Sequence, residues 1–208
     1  MSSARVPWLH VIAGCMSSGK TAEVVRLLTR AEIAGRRVLL LTPATDTRVA
    51  PGEIVSRTGT RFPSVVVRDS RGVLDEVTTR DPDVVGIEEA QFFGADLPKV
   101  IEELVAAPRT VIVSGLDQDF AGRPFATIPE LLARADEVTK LTAICTVCGA
   151  EATRTQRMVA GRPAAMDDPL IVVGGMHDDR YEARCRAHHV IGAARGALPL
   201  PLDLVTEA

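Results

Sequence analysis

From residue 8 to about residue 140, short apolar runs alternate with amphipathic stretches. Residues 8–13 read as a buried strand. Residues 20–34 read as a helix, because Val24, Leu28 and Ala31 recur on one face and Gly35 follows as a stop. Residues 38–42 give a second strand, ended by Pro43. Residues 43–62 carry two glycines, two prolines and several polar side chains, and read as a long loop. Residues 64–67 form a third strand, 73–80 a short helix, 84–88 a fourth strand, 97–107 a helix and 110–114 a fifth strand. A helix over 129–135 and a strand over 138–144 complete the series. Strands that are apolar throughout, separated by helices, predict an α/β fold with a parallel sheet covered on both faces.

The grammar changes after Cys145. The remainder of the chain holds Cys, Gly, His and short β-like pieces at 153–157 and 170–173, with no long helical period. The expected division is a nucleotide-binding domain over 1–144, a small second domain over 145–190 and a loosely attached tail over 191–208 containing Pro199 and Pro201. There is no internal repeat.

Composition narrows the classes. The 208 residues are 46% apolar and 25% charged, as in a soluble globular protein, and the net charge of −3 argues against nucleic-acid binding through bulk charge. No apolar run is long enough for a spanning helix. Arg5, the apolar run 8–13 and Gly14-Cys15 imitate a lipoprotein leader, but His10 interrupts a very short stretch. The four cysteines, Cys15, Cys145, Cys148 and Cys185, are too few and too uneven for a disulfide framework, so a cytoplasmic setting is expected. With five Phe, one Trp and one Tyr, the core must be built from aliphatic side chains.

Gly14-Cys15-Met16-Ser17-Ser18-Gly19-Lys20-Thr21 fits G-x-x-x-x-G-K-[ST], with a strand before it and a helix after it. In such a loop the backbone N–H groups and the helix N-terminus face phosphate oxygens. Lys20 reaches the β- and γ-phosphates of ATP, and Thr21 offers a hydroxyl to Mg²⁺. Gly14, Met16, Ser17, Ser18, Gly19, Lys20 and Thr21 are therefore the expected ATP-binding residues, while Cys15 reads as a small space-filler. Residues 84–87 lead into two acids, Glu88 and Glu89. Neighbours on a strand point to opposite faces, but a turn at its end can bring both toward the nucleotide, one for the metal and one as a base.

Gly86-Ile87-Glu88-Glu89-Ala90-Gln91-Phe92-Phe93 resembles the G-I-D-E-[AG]-Q-F-F signature of the cytosolic, zinc-containing (type II) thymidine kinases. Agreeing in order are the P-loop with Met16, Asp46-Thr47-Arg48, Leu116-Asp117 with Phe120 and Arg123-Pro124-Phe125, the run Lys140 to Cys145, then Cys148, Gly174-Gly175 and Tyr181 to Cys185-Arg186. The resemblance spans about 8–189. It implies a P-loop NTPase-like sheet with a small C-terminal zinc domain carrying a lasso loop. It also implies transfer of the γ-phosphoryl group of ATP to the 5′-hydroxyl of thymidine, and a homotetramer. By family position Glu88 stands on the Mg²⁺ side with Thr21, Glu89 is the base and Arg48 neutralises charge on the transferring phosphate beside Lys20. The family's usual metal-side aspartate is Glu88 here, one methylene longer.

Cys145-x-x-Cys148 and Cys185-x-x-His188 are separated by 36 intervening residues, and two such knuckles suit a closed, structural zinc site. His189 rivals His188 as the fourth ligand. The resemblance places a lasso over about 155–174, with Gly161, Pro163, Asp167, Asp168 and Pro169 suiting a mobile lid. It implies that backbone groups of the lasso at Val172 and Gly174 bind the base, that Phe92, Phe120, Phe125 and Tyr181 wall it, and that Met16, Leu116 and Thr155 surround its methyl group. Two other readings remain open: a kinase for another deoxynucleoside such as deoxyuridine, and an ATP-controlled nucleic-acid binder. The six Arg and six acids of 145–190 weigh against the latter.

Overall fold

The computed structural model describes residues 6–45, 52–55, 59, 61–170 and 180–194. In chain order the elements are β1 (Trp8–Gly14), α1 (Lys20–Ile33), β2 (Val38–Pro43), β3 (Glu53–Val55), β4 (Arg61–Pro63), β5 (Val65–Val67), α2 (Ser70–Arg80), β6 (Val84–Ile87), α3 (Leu97–Ala106), β7 (Thr110–Gly115), α4 (Ile128–Arg134) and β8 (Glu137–Leu141). After these come β9 (Ala143–Ile144), β10 (Glu151–Ala152), β11 (Arg154–Val159), β12 (Arg162–Pro163) and β13 (Arg180–Arg184). Six strands form one sheet in the order β5-β2-β6-β7-β1-β8, and each paired neighbour runs parallel. The carboxyl ends of all six therefore open on one edge.

Strand period decides which helices cover which face. Leu9, Val11, Ala13, Leu39, Leu41, Val85, Ile87, Val111 and Val113 pack with Val73 and Val77 of α2, Leu97 and Ile101 of α3 and Ile128 and Leu131 of α4. Ile12, Leu40, Val84 and Ile112 turn the other way, onto Val24, Val25 and Leu28 of α1. The apolar stretch that imitates a leader is β1, buried from Leu9 onward between β7 and β8.

Several local expectations change. The loop expected over 43–62 contains a small antiparallel ladder, β3 with β4, whose Ile54 and Phe62 pair and add to the layer over α1. Each of these three-residue strands has its buried apolar anchor at the centre, too little for a periodic signal. The helix expected from 73 begins at Ser70, because the Asp69 side chain accepts from the Gly72 N–H at 2.9 Å as an N-cap. The single strand expected over 138–144 divides at Thr142: β8 stays in the main sheet and β9 pairs with β10.

Beyond β8, the chain makes a two-stranded sheet and a three-stranded one of order β12-β11-β13. The first part of the expected lid is thus a hairpin, with Met158 opposite Pro163 and Val159 opposite Arg162. The strand expected over 170–173 and the tail lie largely outside the described residues.

Candidate active site and metal centre

The P-loop joins β1 to α1 at the open edge of the sheet. A Cβ on Gly14 would lie 2.5 Å from the Leu141 carbonyl oxygen of β8, and Gly19 takes a left-handed φ of 89° at the N-cap of α1. No side chain caps that helix, so its first N–H groups remain for an anion. Lys20 is buried and folds back over the loop, with Nζ donating to the carbonyls of Gly14 (3.1 Å) and Cys15 (2.8 Å). Burial pushes its ammonium below the ordinary value, against the pull of Glu89 and Glu88.

The two acids sit just past β6. Glu88 is buried and accepts from the Thr21 hydroxyl at 3.0 Å through Oε2, although β7 lies between the acid strand and the P-loop strand. Loss of solvent, reinforced by Glu89, raises its carboxyl to about 7. Its Oε1 has no hydrogen-bond partner among the described residues, and neither do the buried hydroxyls of Ser18 and Thr42. A buried carboxylate oxygen left unmatched beside the Thr21 hydroxyl fits a hard cation that keeps part of its water shell. Glu89 turns out of the strand in a left-handed conformation, φ 50° and ψ 44°, starting a short 3₁₀ turn over Ala90–Phe92.

The Cys/His unit is joined directly to this site. The Cys15 thiol donates to the Ala152 carbonyl at 3.3 Å, and the Met16 N–H donates to the Thr155 hydroxyl at 3.0 Å. Cys15 packs with Ala143, Cys145, Ala152 and Ala183. Burial raises its thiol above the ordinary value, in keeping with a filler.

The ligand atoms of Cys145, Cys148, Cys185 and His188 all lie within 4.8 Å of one another. His188 Nδ1 is 3.2 Å from the Cys185 sulfur, whereas His189 Nε2 lies 2.8 Å from the Phe120 carbonyl, which selects His188 for the cluster. Burial acts to raise the Cys145 thiol, yet the backbone N–H groups around it prevail and hold it at about 6. Three sulfurs and one imidazole in a closed group suit tetrahedral zinc.

The candidate nucleoside residues divide. Leu116, Phe120, Phe125 and Thr155 are buried, Phe92 is half-buried and Tyr181 is 37% exposed on β13. The guanidinium of buried Arg157 lies over the Phe120 ring, 5.5 Å from its centroid, and also donates to the Pro169 carbonyl. Phe93, in the signature, belongs instead to the main core beside Leu97, and Phe62 to the layer over α1. Arg48, Val172 and Gly174 lie outside the described residues. Sequence reasoning assigned no role to Arg157 or Gln91. Gln91 stands in the signature, but its partners Glu89 and Leu116, like those of Arg157, are visible only in the fold.

A glycine-rich loop between a parallel strand and a helix, facing a hydroxyl–carboxylate pair at the open edge of the sheet, defines a P-loop nucleotide-binding protein. The family model described as "Thymidine kinase" matches residues 7–189. The chain is 53% identical over 184 residues to the thymidine kinase of Coprothermobacter proteolyticus, covering 88% of this chain and 91% of that protein. It is 44% identical over 207 residues to the thymidine kinase of Deinococcus radiodurans, covering 95% of both. The chain belongs to the thymidine kinase family.

Proposed function

We propose that the protein transfers the γ-phosphoryl group of ATP to the 5′-hydroxyl of thymidine, giving dTMP. The observation that carries this is the Thr21–Glu88 contact at the P-loop with Glu89 next in the chain, in a member of this family. Gly14, Met16, Ser17, Ser18, Gly19 and Lys20 hold the triphosphate, and Lys20 unfolds from its own loop carbonyls to reach it. Thr21 and Glu88 would hold Mg²⁺, which supplies charge neutralisation between the phosphates. Glu89 accepts the proton of the 5′-hydroxyl, and Arg48 balances charge on the moving phosphoryl group. Most of the rate then comes from positioning and electrostatics.

Phe92, Phe120, Phe125 and Tyr181 wall the base, Met16, Leu116 and Thr155 surround its methyl group, and Val172 and Gly174 bind it through backbone groups. Cys145, Cys148, Cys185 and His188 would hold a zinc ion that fixes the second unit. In this reading 1–144 binds nucleotide, 145–190 carries zinc and lasso, and 191–208 is a tail. No helix among the described residues is long and apolar enough to cross a membrane. A cytoplasmic homotetramer completes the proposal.

Purified protein with ATP, Mg²⁺ and thymidine should yield dTMP. Glu89→Gln should lose about 10²-fold or more in kcat with ATP binding intact. Full turnover in that variant removes the base assignment, and preference for deoxyuridine in a competition assay removes the choice of substrate.

A further inference from the structure

Gln91 is 2% exposed, two residues beyond Glu89, within the 3₁₀ turn. Its amide is used at both ends. Nε2 donates to Glu89 Oε2, and Oε1 accepts the Leu116 backbone N–H at 3.1 Å. A carboxylate can only accept and a backbone N–H can only donate, so one orientation of the amide satisfies both partners. The space for it exists because residue 115 is glycine: a Cβ there would stand 2.8 Å from Gln91 Oε1 and 2.4 Å from Ile128 Cδ1.

We infer that Gln91 is a positioning residue that holds the Glu89 carboxylate and couples its place to the pocket wall at Leu116. This rests on the reading of Glu89 as the base. Glu89 leaves its strand in a left-handed conformation uncommon for a residue with a side chain, so the strand itself does not aim the carboxylate. The amide supplies that aim, itself anchored by the Leu116 N–H just past β7. Leu116 follows the last residue of β7, and its N–H points to Gln91. Pressure of a nucleoside on the Leu116 wall is therefore transmitted through one rigid amide to the carboxylate that takes the proton.

Gln91→Met keeps the length and apolar bulk but removes both bonds. Its kcat should fall about 10²-fold, the loss expected for a base displaced by around 1 Å, while KM for ATP stays within threefold. In a cycle with Glu89→Gln, the double variant should be no slower than Glu89→Gln alone, because Gln91 acts only through that carboxylate. Losses that multiply, or an undiminished kcat in Gln91→Met, overturn the inference. Should Gln91→Met not fold, Gln91→Glu keeps an oxygen for Leu116 and sets a second carboxylate against Glu89. A lowered kcat with unchanged KM supports positioning there, and parental kcat overturns it. If Glu89→Gln itself keeps full turnover, the base reading fails, and that result is distinct from failure of Gln91 alone.

Discussion

The Met16 N–H of the P-loop is bound not by a phosphate-shaped neighbour but by the Thr155 hydroxyl, 3.0 Å away on β11. The loop is thus tied to the Cys/His unit by a side chain 139 positions further along the chain. Thr155→Val, similar in shape but without the oxygen, should cost about 1–2 kcal/mol, because a partly buried N–H loses its acceptor. Amide exchange at Met16 should accelerate, and Thr155→Ser should restore protection. Unchanged exchange in the valine variant would show the bond to be dispensable.

Metal should be present at one zinc per chain, and its removal should be felt at the P-loop. Cys15 packs with Cys145 and Ala152, so loosening the knuckles removes one wall of the loop. Chelation is expected to lower the Tm and to expose the amides of Cys15 and Met16 to exchange. Metal analysis and thermal melts before and after chelation check this; a chelated protein with the parental Tm would contradict it.

Glu88 makes stability depend on pH. Its carboxyl rises from 4.5 to about 7 on burial, so between those values the folded protein holds a proton that the unfolded chain has released. The resulting stabilisation is complete below about pH 4.5 and is lost as pH rises through 7. The shift corresponds to about 3 kcal/mol. Glu88→Gln cannot ionise, so without added Mg²⁺ it should overtake the parent in urea denaturation as pH goes from 5 to 8. Parallel curves for the two proteins would refute the assignment.

Gly14→Ala meets a backbone atom rather than a flexible side chain. The new Cβ would stand 2.5 Å from the Leu141 carbonyl oxygen. Either β1 and β8 part or the loop shifts, at about 1–3 kcal/mol. Isothermal titration should show ATP binding weakened at least tenfold, with the Tm lowered alongside it. Parental ATP affinity would mean that the loop tolerates the crowding.

Much of this architecture is legible in the sequence because it depends on local signals. Val, Ile and Leu runs buried on both faces announce parallel strands, the glycine–lysine–threonine spacing announces the P-loop, and the paired cysteines announce a metal centre. The features that escape depend on partners distant in the chain. Ile54 and Phe62 gain meaning only against α1, and Phe93 turns inward because the 3₁₀ turn carries it toward Leu97. His188 and His189 are neighbours in sequence, and only the turn in which the His188 N–H donates to the Cys185 carbonyl separates their directions.

The register of β1 with β8 sets Gly14 opposite Leu141, and Cys145 follows four positions later. One slip between these strands would carry the knuckles about 3.3 Å along the sheet and reverse their face. In the proposed reading, the segment that carries the nucleoside-binding residues is therefore spaced from the phosphate loop by the ladder itself. The strand pairing serves as a ruler between the phosphate loop and the Cys/His knuckles, fixing their span before any ligand has bound.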